Sequence, residues 1–160
     1  MEKVDFSSDD FAGFSNNEDI LVDTGILLAY LNSYDAWSKV VTELFNKHIL
    51  AENLNKTLFL YINPCVLNEI MNLTGKHKTI EYYMRKHSSK RFTEEEYLRQ
   101  MNTYKELGSA DSFNVSLAND YGISFLTVDN KLVKHIEENI KNFPNLGNVY
   151  YAPPEKQSYR

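Results

Sequence analysis

Length, composition and charge narrow the class of protein. The chain has 160 residues, of which 42% are hydrophobic, with six Gly, four Pro, one Cys and a formal net charge of −5. This length favours one domain that can bury roughly 68–70% of its unfolded surface, and a single thiol excludes a disulfide scaffold. The low Gly and Pro content excludes collagen-like and linker-like sequences.

The chain begins with an acidic segment. Residues 1–23 carry a net charge of −6, and Phe6, Phe11 and Phe14 show no helical spacing. We therefore expect a mobile acidic extension over 1–18, one domain over 19–153 and a tail over 154–160. The segment lacks the features of a secretory signal, and no apolar run approaches the roughly 20 residues of a membrane span, so we expect a cytoplasmic protein without a membrane partner.

Short apolar runs then alternate with longer stretches of helical period. The predicted strands are 20–22, 58–62, 124–128 and 149–152, and the predicted helices are 25–31, 35–50, 64–74, 76–88, 93–107, 110–121 and 131–141. The first three strands are almost entirely apolar, which is typical of parallel strands covered by helices on both faces. The pattern predicts an α/β fold with a mainly parallel sheet.

Four carboxylates lie where one element gives way to the next. Asp23 closes the apolar run ILV and Asp129 closes FLTV, so both are expected beyond the carboxyl ends of strands, where α/β folds bind ligands. Glu69 borders the apolar face of helix 64–74, and Asp111 lies in the first turn of helix 110–121. Taken alone, each acid also has an ordinary structural explanation. Asp23 and Asp129 could be turn residues at strand ends, Glu69 a solvated charge on a helix, and Asp111 an acid at a helix start. Four clustered carboxylates would repel one another without a cation, and oxygen ligands favour Mg²⁺ or Mn²⁺.

A basic run lies between the second and third predicted strands. Residues 76–91 have a net charge of +5, which comes from Lys76, Lys78, Arg85, Lys86, Lys90 and Arg91. Tyr82, Tyr83, Tyr97 and Tyr104 lie in or near it, and such aromatics could stack on bases while the cations meet phosphates of single-stranded RNA. The alternatives are a solvated helix face, or apolar residues that pack on the sheet or form a dimer interface.

The ordered acids and their surroundings resemble a known family. The segments ILVDTGILLAYLN, VLNEIMNL and SADSFNVSLANDYGISFLTVDNKLV are similar to those of PIN domains, over about residues 20–152, and closest to VapC-type toxin endoribonucleases. The resemblance implies a three-layer α/β/α sandwich around a mainly parallel sheet of four or five strands. Ser112 in place of a common Ala, and the 22 residues before Asp23, depart from the family pattern.

The resemblance also implies an activity. Asp23, Glu69, Asp111 and Asp129 would form a Mg²⁺- or Mn²⁺-binding catalytic set that hydrolyses RNA phosphodiester bonds, with Thr24 and Thr127 orienting the carboxylates. The implied partners are RNA, an antitoxin protein and a second copy of the chain in a homodimer.

The sequence is also compatible with two other functions. The acidic start favours a PIN-like module that binds protein or RNA without cleavage, and the same metal chemistry would also permit DNA cleavage. The sequence contains no GxxxxGK[ST], GxGxxG or GxSxG motif, so nucleotide hydrolysis, dinucleotide binding and the hydrolase nucleophile elbow have no support.

Overall fold

The described strands form one parallel sheet. The computed structural model describes residues 1–63, 90–91, 95 and 110–158, the side chains of 90–91 and 110–112 excepted. Its strands are β1 (Lys3–Asp5), β2 (Glu18–Val22), β3 (Leu58–Ile62), β4 (Lys90–Arg91), β5 (Ser124–Leu126) and β6 (Val149–Tyr151). They lie in the order β1-β6-β5-β2-β3-β4, and every pairing is parallel. The predicted α/β fold is confirmed, with all four predicted strands present and two short strands added at the edges.

Four α-helices are described. They are α1 (Thr24–Leu31), α2 (Ser38–Leu44), α3 (Ala110–Tyr121) and α4 (Asn130–Glu138). A π-helical turn, Phe45–Ile49, extends α2, and two 3-10 turns follow at Ile140–Asn142 and Pro154–Lys156. None of the described helices is both long enough and apolar enough to cross a membrane.

The helix boundaries follow local chemistry. The sequence predicts a helix over 35–50, but α2 begins at Ser38. It starts later because the Asp35 carboxylate accepts the Trp37 N–H at 2.8 Å and holds a turn there. Helix α3 ends at Tyr121, and Gly122 follows with φ +64°, the left-handed conformation that glycine adopts without strain. The predicted helices 64–74 and 76–88 lie outside the described residues, and of the predicted helix 93–107 only Glu95 is described, as a helical residue.

Each central strand contributes side chains to two cores. Ile20 and Val22 of β2 belong to one core with residues of α1 and α2, whereas Leu21 between them belongs to a second core with residues of α3 and α4. In the same way, Phe125 and Leu126 of β5 point to opposite faces. Successive side chains of a strand alternate between faces, so the apolar runs reflect a sheet with helices on both sides.

The N-terminal segment differs from the mobile extension that the sequence predicts. Strand β1 pairs with β6 from Lys3↔Val149 to Asp5↔Tyr151, and Phe6 and Phe14 are only 4% and 1% exposed. The Phe14 ring packs edge-on against Tyr150, with 4.7 Å between ring centroids. The burial of these rings depends on a strand from the other end of the sequence, which is why their local spacing shows no helical period.

Candidate active site

Asp23 and Asp129 follow neighbouring strands and begin helices on opposite faces of the sheet. Asp23 comes directly after β2 and is the N-cap of α1, where its side chain accepts the Thr24 N–H at 2.9 Å. Strand β5 pairs with β2, Val22 facing Leu126, and Asp129 lies three residues beyond as the N-cap of α4. Its Oδ1 accepts the Leu132 N–H at 3.1 Å. The structure thus brings two of the four predicted acids to one rim of the sheet.

Thr127 joins the two acidic turns. It is fully buried, and its Oγ1 donates to Asp23 Oδ2 at 2.8 Å while it accepts the backbone N–H of Asp129 at 3.0 Å. The sequence predicts an orienting role for this hydroxyl, and the hydrogen bonds give it the contacts for that role. For Thr24, the contact with Asp23 comes from its backbone N–H.

Two buried asparagines extend the site, and the sequence did not single them out as site residues. Asn114 of α3 is 6% exposed, and its Nδ2 donates to Asp23 Oδ1 at 3.3 Å. Its Oδ1 accepts from Nδ2 of Asn63 at 2.9 Å. Asn63 is 3% exposed and directly follows β3. The available signal was an amide among the apolar residues of α3, since buried polar groups require partners.

The surroundings of Asp23 disfavour the ionised form of its carboxyl group. Burial raises the pKa of the Asp23 carboxyl above its ordinary value, and the nearby charge of Asp129 raises it further. The hydrogen bonds from Thr127, Asn114 and Thr24 lower that pKa and offset part of the burial. All three donors are neutral groups, so they orient the carboxylate without neutralising it.

The other predicted site residues are described only in part. Glu69 lies outside the described residues, as do Lys76, Lys78, Arg85 and Lys86. Asp111 stands in α3 one turn before Asn114, and residues three apart are neighbours on a helix surface. Lys90 and Arg91 form β4, beside β3. For Asp111, Lys90 and Arg91 the structure describes the backbone and not the side chain.

The two described carboxylates are compatible with a divalent cation. Within the described part of the chain, no group of three or more His, Cys, Asp or Glu side chains could hold a metal ion. Asp23 and Asp129 supply oxygen ligands of the kind that Mg²⁺ prefers, and their mutual repulsion would be relieved by a cation. Neither forms an ion pair with a Lys or Arg among the residues whose side chains are described. The chemistry of the donors therefore fits the metal that the resemblance implies.

Comparison with known proteins assigns no family to the chain. No protein-family model matches the sequence, and no curated protein matches it. The PIN-domain resemblance rests on the order and surroundings of the acids, and it stays a prediction.

Proposed function

We propose that the protein is an endoribonuclease that requires Mg²⁺ or Mn²⁺ and hydrolyses RNA phosphodiester bonds. One observation carries the proposal: Asp23 and Asp129 lie at adjacent strand ends and are joined through Thr127. Asn114 adds support, because it connects Asp23 to the helix that bears Asp111. Ligands of open parallel sheets bind at such strand ends.

The residues have distinct roles in this proposal. Asp23 and Asp129 would hold the metal, together with Asp111 and Glu69 as the resemblance implies. When bound, the ion would activate a water molecule and stabilise the leaving oxygen of the phosphodiester. Thr127 donates to Asp23, which favours its ionised form, and it fixes the turn before α4 through the Asp129 N–H.

The basic run would bind the RNA. Lys90 and Arg91 lie in β4, two strands from β2 in the sheet, and they close the segment that contains Lys76, Lys78, Arg85 and Lys86. Cations near the carboxylate rim would hold the phosphate backbone while the metal acts on one bond. The antitoxin, the homodimer and the cytoplasmic location stay predictions from the sequence.

A cleavage assay tests the enzyme directly. Purified protein is incubated with labelled single-stranded RNA in Mn²⁺, Mg²⁺ or EDTA. We expect Asp23→Asn and Asp129→Asn to lower the cleavage rate at least about 100-fold, since loss of a metal's supporting contacts alone costs 10–100-fold. Asp10→Asn makes the same chemical change at an exposed position in the N-terminal segment and should cleave like the parent. Equal cleavage by the folded Asp23→Asn variant would disprove the proposed site.

Thermal unfolding separates the enzyme from the non-catalytic alternative. A ligand that binds only the folded protein at 100 times its Kd adds about 2.7 kcal/mol to the free energy of unfolding. We expect Mn²⁺ and Mg²⁺ to raise the Tm of the parent but not that of Asp23→Asn. RNA binding without a metal-dependent change in Tm or cleavage would favour a module that only binds.

A further inference from the structure

The hydrogen bonds of Asp23 are divided unequally between its two oxygens. Oδ1 accepts two of them, from the Thr24 N–H at 2.9 Å and from Asn114 Nδ2 at 3.3 Å. Oδ2 accepts one, from Thr127 Oγ1 at 2.8 Å. An ionised carboxylate offers about four acceptor positions, two on each oxygen. Among the described residues, the one position left without a donor is therefore on Oδ2.

The Asp23 carboxylate and the Asn63 amide together set which way the Asn114 amide faces. Asn114 Oδ1 accepts from Asn63 Nδ2 at 2.9 Å, and this directs Asn114 Nδ2 towards Asp23. The reversed amide would put Asn114 Oδ1 against the Asp23 carboxylate and its N–H donors against those of Asn63. Both amides are more than nine-tenths buried, which makes unsatisfied groups costly. The orientation is thus set by packing before any ligand arrives.

From this arrangement we infer that Asn114 is a positioning residue that occupies Oδ1 of Asp23, so that Asp23 offers a cation the single oxygen Oδ2. The inference rests on the proposed function and adds a determinant of metal choice. Mg²⁺ requires near-octahedral coordination and takes few carboxylate oxygens, whereas Ca²⁺ accepts more ligands and bidentate carboxylates. Asn114 therefore favours Mg²⁺ and Mn²⁺ over Ca²⁺ by blocking bidentate binding.

A pair of substitutions in one helix tests this role. Asn114→Leu removes the amide at similar size and frees one position on Asp23 Oδ1. Asn119→Leu is the matched control, because Asn119 is also buried in α3, at 4% exposure, and its Oδ1 accepts the N–H of Asn145 rather than bonding to Asp23. Binding of Mg²⁺, Mn²⁺ and Ca²⁺ is measured by calorimetry and by the metal-induced change in Tm.

The role predicts a change in selectivity as well as in affinity. We expect Asn114→Leu to weaken Mg²⁺ binding about 10–100-fold and to weaken Ca²⁺ binding less. The ratio of the Mg²⁺ affinity to the Ca²⁺ affinity should therefore decrease. Asn119→Leu should lower the Tm and keep the affinities and preference of the parent. Unchanged affinities and preference in Asn114→Leu would overturn the inference and leave the proposed function standing. A parent protein that binds none of the three ions would overturn both.

A measurement on the parent covers the case in which Asn114→Leu does not fold. The side-chain amide of Asn114 is followed by NMR during a Mg²⁺ titration, with that of Asn119 as an internal reference. If the chemical shifts of the Asn114 side-chain N–H protons remain those of a hydrogen-bonded amide at saturating Mg²⁺, the result would support Mg²⁺ binding through Oδ2 of Asp23. Loss of those shifts at Asn114 alone would show that Asp23 has released the amide, and would overturn the inference.

Discussion

At the scale of single residues, Asp23 and Asp129 of the candidate site each cap a helix. Asp23 accepts a backbone N–H at the start of α1, and Asp129 does the same at the start of α4. The N-terminus of a helix carries a partial positive charge that favours an anion. The two helix ends therefore offset part of the repulsion between the carboxylates, which explains how the fold tolerates both acids.

The Thr127 hydroxyl should contribute measurably to stability. Thr127→Val keeps the shape of the side chain but leaves Asp23 Oδ2 and the Asp129 N–H without that partner. We expect the free energy of unfolding to fall by about 1–3 kcal/mol in urea denaturation. Thr127→Ser keeps the hydroxyl and should lose only the contribution of one buried methyl group, about 0.8 kcal/mol. A larger loss for Ser than for Val would contradict the hydrogen-bonding role.

Tyr61 should make stability depend on alkaline pH. Burial and the hydrogen bond from its hydroxyl to Asp19 Oδ1, at 2.9 Å, raise its pKa to about 12. The raised pKa contributes stability that is fully present below the unfolded value near 10 and is lost as pH rises through 12. Urea denaturation from pH 8 to pH 12 should show this loss, and Tyr61→Phe should show a smaller one. Identical slopes would rule the contribution out.

At the scale of elements, prediction from sequence succeeded where the signal is local. Strand 58–62 and helix 110–121 have the predicted bounds, and the predicted strand 124–128 is observed over Ser124–Leu126. Apolar runs and helical periodicity predict these elements because both depend on near neighbours. Strand β1 could not be predicted in this way, because its three residues become a strand only by pairing with β6.

In the candidate site, too, the sequence predicts the residues that have a local signal and misses those that depend on distant packing. Asp23 and Asp129 could be found because an acid after an apolar run marks a strand end. Asn114 could not, because its role depends on the packing of α3 against the ends of β2 and β3. The sequence pattern locates the two acids, whereas the buried Asn114 amide that contacts Asp23 is identified only in the three-dimensional structure.

The N-terminal segment should behave as part of the fold. Phe14 is 1% exposed and packs against Tyr150, so Phe14→Ala should lower the free energy of unfolding by about 3–5 kcal/mol. Tyr34→Ala is the control, since Tyr34 is 81% exposed and surface substitutions usually change stability by less than about 0.5 kcal/mol. Chemical denaturation of both variants provides the comparison. A Phe14→Ala variant as stable as the parent would restore the prediction of a mobile extension.

At the scale of the whole molecule, the two cores share one sheet. Leu21 and its neighbours Ile20 and Val22 tie opposite cores together through consecutive residues of β2. Neither core can lose its strands without exposing the other, so the protein should unfold in one cooperative step.

The single Trp allows this cooperativity to be measured. Trp37 packs against the core on the α1 and α2 side, whereas Phe125 is buried in the opposite core. We expect Phe125→Ala to lower the free energy of unfolding by about 3–5 kcal/mol. The unfolding midpoint should fall equally whether it is measured by Trp37 fluorescence or by circular dichroism. A fluorescence midpoint that stays at the parent value would show that the two cores unfold independently.

The pairing of β1 with β6 has a consequence for the newly made chain. Synthesis proceeds at about 5–20 residues per second, so the partner of β1 leaves the ribosome roughly 7–30 s after β1 itself. During that interval Phe6 and Phe14 have no β6 to pack against. We expect the net charge of −6 over residues 1–23 to oppose aggregation of this segment during the interval, because segments of like charge repel one another. We therefore expect the acidity of this segment to matter most during synthesis, before β1 has its partner strand.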